Sequence, residues 1–173
     1  NDDFRRGKPS NHKVFGEANA VLAGDALLTF APQLIIEKPR DKLPDEIILN
    51  LVHEYTKFAG AHALIAGQVV DIESESGNLT RSAEETLDFI HSNKTASLFR
   101  LPIRCGAIIA DKSKLNELDD FAHKFGLAFQ IYDDIMDEIS TFEELGKTIG
   151  KDKNSGKLTY VSLYGLEKAK EKF

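Results

Sequence analysis

The stretch Phe129-Gln130-Ile131-Tyr132-Asp133-Asp134-Ile135-Met136-Asp137 puts three aspartates within five positions of an otherwise apolar, periodic segment. Each residue of an α-helix turns by about 100°, so Asp133 and Asp137 fall roughly 40° apart, on a strip shared with Gln130 and Gly126. Leu118, Phe125, Phe129, Tyr132 and Met136 form a second, apolar strip, centred roughly 60–80° around the same helix. With that strip as the buried face, the carboxylates border it.

Such a placement is costly without a cation. Helix neighbours at this spacing are about 6 Å apart, where two carboxylates repel by about 3 kcal/mol at an effective dielectric of 20. A hard divalent ion with oxygen ligands resolves the repulsion, and Mg²⁺ shared with a phosphate-bearing substrate suits the donor set. The alternative on the same residues is a solvated acidic edge at a helix C-terminus.

Working outward, the surrounding pattern is helical throughout. Ser113 to Glu138 predicts the helix that carries the aspartates. Ser82-Ala-Glu-Glu85 has the spacing of a capping box and opens a helix through Leu87, Ile90, Leu98 and Leu101, with Lys94-Thr95 in its middle and Pro102 expected to kink or break it. Asp45 to Ile72 predicts one long amphipathic helix, and Gln68 and Asp71 share a face near its end, either as a capping or surface pair or as support for a metal held elsewhere. Val14 to Leu34, rich in Ala and Gly, predicts a central buried helix in which Asp25 makes a buried hydrogen bond to a neighbouring helix or, as the alternative, serves catalysis, with Pro32, Pro39 and Pro44 disturbing or ending it. Asn1 to Lys13 reads as a loop whose Arg5, Arg6 and Lys8 are either solvated or a clamp for diphosphate oxygens.

Ser140 to Lys157 is a polar, glycine- and lysine-rich connection suited to cover the aspartates. Its Gly146-Lys147-Thr148 is not a P-loop, because Thr141 stands where that motif requires Gly and no strand precedes it. No segment alternates as a strand, so the fold class is all-α, a single domain over 1–173.

Composition excludes several classes. The 173 residues carry a net charge of −6, which argues against nonspecific nucleic-acid binding. The single Cys105 excludes an intrachain disulfide and fits a reducing compartment, so a cytoplasmic location is expected. Asp25, Arg100 and Arg104 interrupt the most apolar runs, and no membrane span is expected. The five histidines show no zinc-hydrolase spacing, and no nucleophile elbow is present.

Taken in order, Asp3-Phe-Arg-Arg-Gly-Lys-Pro9, Gly16-Glu-Ala through Ala23-Gly-Asp-Ala-Leu27, Gly67-Gln-Val-Val-Asp71, Lys94-Thr95, Phe129 to Asp137, and Gly146-Lys147 with Gly156-Lys157 resemble the trans-polyprenyl diphosphate synthase family, most of all its bacterial farnesyl or geranyl diphosphate synthase branch. The resemblance implies an isoprenoid-synthase-type helical bundle, usually a homodimer, that condenses an allylic diphosphate with isopentenyl diphosphate. It implies Mg²⁺ on Asp133 and Asp137 with Asp134 supporting, and Gln68 and Asp71 behind that metal site. Arg5, Lys94 and Lys147 would hold the allylic diphosphate, Lys157 would close over it, and Arg6 would bind isopentenyl diphosphate. Thr95 and Gln130 would set oxygen dipoles near the developing cation.

The family's first aspartate-rich motif precedes the Arg5-Arg6 stretch and is not in this sequence. The chain therefore reads as a partial domain lacking N- and C-terminal helices, and it is expected to be inactive alone. Two further readings share the aspartate chemistry: a terpene cyclase, and a noncatalytic regulatory subunit of a prenyl synthase. A helical metal-binding structural protein would leave the basic residues unexplained.

Overall fold

The computed structural model describes residues 3–77, 81–140 and 157–173. A two-stranded antiparallel hairpin, β1 (Phe4–Arg5) and β2 (Lys8–Pro9), opens the chain where a loop is expected. Its two-residue turn has positive φ at Arg6 (53°) and Gly7 (73°), the combination that matches strand twist in tight hairpins. Helices follow: α1 (Asn11–Phe15), α2 (Glu17–Glu37), α3 (Asp45–Ala59), α4 (Leu64–Glu75), α5 (Ala83–Ile90), a π-helical turn (His91–Thr95), α6 (Ala96–Ala110), a 3₁₀ turn (Lys112–Lys114), α7 (Leu115–Ile139), α8 (Tyr160–Tyr164) and α9 (Leu166–Lys172). The all-α expectation holds, with the hairpin its one exception among the described residues.

Helix α6 packs between α3 and α7, and α4 lies against the π-helical turn. Leu87, Ile131, Ile135, Tyr160 and Ala169 form one buried cluster, which ties α5 and α7 to α8 and α9. The capping box is present as the sequence predicts: Glu85 N–H donates to Ser82 Oγ, and Ser82 N–H donates to the Glu85 carboxylate.

Four expectations are corrected. The segment from Asp45 is two helices, because the chain breaks at Gly60 and restarts at Leu64. Pro32 lies inside α2 without ending it. A proline removes the hydrogen bond to the carbonyl four residues earlier, and here Tyr55 Oη from α3 donates to that Leu28 carbonyl at 2.9 Å. Pro102 is likewise carried within α6.

Third, α2 buries none of its residues and Asp25 is exposed, since its principal neighbours here are only α1 and α3. Its length and apolar composition are those of a helix able to cross a membrane, a test that the core helix of a bundle also meets.

Fourth, the aromatic strip of α7 is exposed: Phe125, Phe129 and Tyr132 lie at the surface, while Ala122, Gly126, Asp134 and Asp137 are buried. The aspartate strip is thus part of the packed face of α7 and does not merely border it, because α6 and the π-helical turn dock there.

Candidate active site

Two glycines set the site. A Cβ on Gly67 of α4 would come within 2.4 Å of the Lys94 backbone nitrogen, and one on Gly126 of α7 within 2.6 Å of Ala96 Cα. With no side chain at either position, α4 and α7 close from two sides on the turn His91–Thr95. Within that turn Asn93 Nδ2 donates to the Phe89 carbonyl at 2.9 Å, a side-chain bond to a carbonyl of the preceding turn. Single π turns of this kind re-aim side chains, and they recur at functional sites.

One helical turn beyond each glycine stands the polar partner of a turn residue. Asp71, four residues after Gly67, accepts from Lys94 Nζ at 2.5 Å. Gln130, four residues after Gly126, accepts at Oε1 from Thr95 Oγ1 at 2.7 Å. Gln130 Nε2 then donates to Asp134 Oδ1 at 2.9 Å, and Asp134 Oδ2 accepts from the Tyr160 backbone N–H at 2.9 Å. His91 Nε2 is 3.8 Å from that second oxygen, and its ring lies 5.1 Å from the Tyr160 ring. Burial, reinforced by the Lys157 charge, pushes the His91 imidazole down to about 4. Asp71 Oδ1 and His91 Nδ1 are buried with no hydrogen-bond partner among the described residues, each a place for an ordered water.

The structure thus gathers Lys94, Thr95 and Gln130 with Asp71 and Asp134. Asp71 engages Lys94, and Gln68, three residues earlier on α4, is exposed. Asp133 is half-buried and Asp137 buried, one turn apart on α7. Among the described residues no three His, Cys, Asp or Glu side chains converge as a metal cage.

Arg5 and Arg6 are exposed on the hairpin. The hairpin's base is tied to α1 by Asp3, whose carboxyl lies below its usual range because His12 and then Lys13 hydrogen-bond to it. Lys157 is half-buried. Lys147 lies outside the described residues.

Sequence reasoning misses His91, Tyr160 and the ion-pair cluster of Glu54, Arg100, Arg104 and Asp119. None sits in a spacing that marks function; only the contacts reveal them.

One turn thus presents a lysine to α4 and a threonine to α7, where the glutamine that accepts from it stands on the same helix as the aspartates. The chain belongs to the polyprenyl synthetase family, whose model matches residues 1–173. It is 48% identical over 174 residues to a farnesyl diphosphate synthase of Geobacillus stearothermophilus, covering 99% of this chain and 58% of that protein. It is 49% identical over 173 residues to a chloroplastic geranylgeranyl pyrophosphate synthase of Capsicum annuum, covering 99% of this chain and 46% of the relative. Among solved structures, a geranyltransferase from Helicobacter pylori complexed with magnesium and isoprenyl diphosphate superposes with a TM-score of 0.85 at 35% identity, over 98% of this chain and 55% of that one. The chain spans about half the length of the relatives it matches.

Proposed function

We propose that the protein carrying this chain is a short-chain trans-prenyltransferase, condensing an allylic diphosphate (dimethylallyl or geranyl) with isopentenyl diphosphate, with a product of farnesyl length. The carrying observation is that one turn joins α4 through Lys94 and Asp71 and joins the aspartate helix through Thr95 and Gln130, Gln130 being bonded in turn to Asp134. Relatives named as a farnesyl diphosphate synthase, a geranylgeranyl pyrophosphate synthase and a geranyltransferase support the reaction class.

In the reaction the allylic carbon–oxygen bond breaks and its electron pair leaves on the diphosphate. The isopentenyl double bond supplies the pair for the new carbon–carbon bond, and a proton leaves the coupled product. Asp133 and Asp137 fit Mg²⁺: two hard oxygen donors one turn apart, for an ion that is commonly held by one or two carboxylates plus substrate phosphates and water. When bound, Mg²⁺ supplies positive charge that offsets the departing diphosphate.

Lys94 presents its ammonium from a rigid turn, and Arg5, Lys147 and Lys157 add the remaining positive charge to the allylic diphosphate; Arg6 binds isopentenyl diphosphate. Gln68 and Asp71 support this region, Asp71 through Lys94. Thr95 and Gln130 direct oxygen dipoles at the developing cation. A homodimer in the cytoplasm completes the reading.

The test is a product assay on the full-length protein with geranyl and isopentenyl diphosphates, with and without Mg²⁺, followed by chromatography of the dephosphorylated alcohols. We expect a metal-dependent elongated alcohol, reduced about a hundredfold or more in Asp133→Ala. No elongation by a folded full-length protein refutes the proposal.

A further inference from the structure

Asp134 is placed unlike its neighbours Asp133 and Asp137. Its side chain is only 2% exposed, and its two oxygens receive separate N–H donors: Gln130 Nε2 on Oδ1 and the Tyr160 backbone on Oδ2. A carboxylate has no proton to give, so the Gln130 amide has one admissible orientation, NH₂ toward Asp134 and Oε1 toward Thr95. That oxygen accepts from the Thr95 hydroxyl at 2.7 Å. Thr95 has a single hydroxyl proton, and Gln130 takes it. What Thr95 presents on its open side is therefore oxygen lone pairs alone, the polarity that favours a developing carbocation and disfavours water-like proton donation to it.

We infer that Asp134 is a positioning residue which fixes the direction of the Thr95–Gln130–Asp134 hydrogen-bond chain, and does so from the interior, without holding the metal. The inference rests on the transferase reading of this site. Tyr160 is part of the device, because its backbone N–H occupies Oδ2 and its ring packs beside His91. The first residue of α8 thereby holds the carboxylate in the orientation that Gln130 needs.

Asp134→Asn tests this with a near-isosteric change. The Asn oxygen keeps the Tyr160 N–H, and the new NH₂ faces Gln130. The Gln130 amide must then turn over, offering NH₂ to Thr95, and the Thr95 proton swings away from Gln130. In the full-length enzyme we expect kcat to fall at least tenfold, a loss on the order expected for misdirecting one preorganised dipole. KM for both diphosphates and the Mg²⁺ concentration giving half-maximal rate should stay within about twofold. In a Thr95→Val background the same substitution should cost little further, since the hydroxyl it redirects is already gone.

A raised Mg²⁺ requirement, with kcat recovered at high Mg²⁺, would make Asp134 a metal ligand and overturn the inference. Unchanged kcat, or a full additional loss on Thr95→Val, would overturn it as well. Should Asp134→Asn not fold, neutron diffraction of the unaltered protein reads the same point directly: deuterium on Thr95 Oγ1 aimed at Gln130 Oε1 supports the proposal, and any other direction refutes it. Absence of elongation by the unaltered enzyme would instead sink the transferase reading, and the neutron map separates the two failures.

Discussion

Glu54, deep in α3, shows how single residues hold this bundle together. Its carboxylate accepts a bidentate pair from Arg104, at 2.6 and 2.9 Å, while Asp119 of α7 accepts two bonds from Arg100 and an ion pair from Arg104 at 3.1 Å. Both guanidiniums lie over the Phe58 ring, 4.9 and 5.3 Å from its centroid. Three helices are thereby joined through one aromatic residue and four charges. Glu54→Gln replaces a bidentate carboxylate by one amide oxygen and leaves Arg104 its pair with Asp119, so it should lower unfolding free energy by about 1–2 kcal/mol, read from urea melts. The same cluster predicts an acid transition. Hydrogen bonds from Arg104 hold the Glu54 carboxyl below its usual range, and those from Arg100 do the same for Asp119. As pH falls through about 4, the unfolded chain takes up these protons before the folded one does, and stability present at neutral pH is lost from there downward. Glu54→Gln should flatten that part of the stability–pH curve; an unchanged acid limb would remove the cluster from the account.

At the scale of elements, the π-helical turn held between Gly67 and Gly126 does what a straight helix from Ser82 could not. It brings Lys94 to Asp71 of α4 and Thr95 to Gln130 of α7. Gly126→Ala should destabilise by about 1–3 kcal/mol, because the added methyl meets backbone at Ala96 with no flexible group to yield. It should also lower kcat by displacing Thr95. Gly106→Ala on α6, where an added methyl would meet nothing within 4 Å, is the control and should be neutral or stabilising by up to about 1 kcal/mol. Equal effects of the two substitutions in thermal melts and turnover would remove the clamp from the explanation. Sequence periodicity exposes the capped start of the helix at Ser82 and the whole aspartate helix nearly to the residue, since both follow from local rules. It does not expose the turn at His91–Thr95, which depends on how closely two other helices approach. Nor does it expose the passage of α2 through Pro32, which depends on Tyr55, 27 positions beyond the Leu28 carbonyl it bonds and outside the reach of any local rule. Lys94, Thr95 and Gln130 are recognisable in the sequence as a set; Asp134's inward role is not, because adjacent aspartates look alike until burial separates them.

Over the whole molecule, the largest unmet demand is α2. Val21, Leu22, Leu27, Leu28 and Phe30 are all exposed, and a helix apolar on every side is a buried helix, not a surface one. Phe121, Phe125 and Phe129 on α7 make a similar exposed ridge, with Phe99 edge-on to Phe125 and tilted against Phe129. Hydrophobic patterning reports what a face requires of its surroundings, not whether the same stretch of chain supplies it, so the sequence expects α2 to be central while this chain leaves it bare. The chain spans 58% of the Geobacillus relative and 55% of the Helicobacter structure, so more of the fold exists in those proteins than is described by these residues. For the proposed homodimer, α2 is the face that a second copy would cover. The full-length protein should sediment as a dimer, and Leu27→Glu, at a side chain 69% exposed here, should shift it toward monomer by placing a charge in the apolar contact. A dimer unaffected by Leu27→Glu but a sharply lowered melting temperature would mean that α2 is covered by the protein's own remaining helices. Recovery of the protein in the membrane fraction would mean instead that α2 meets lipid, which its length and composition permit. Dissociation without unfolding is the outcome that the homodimer reading requires.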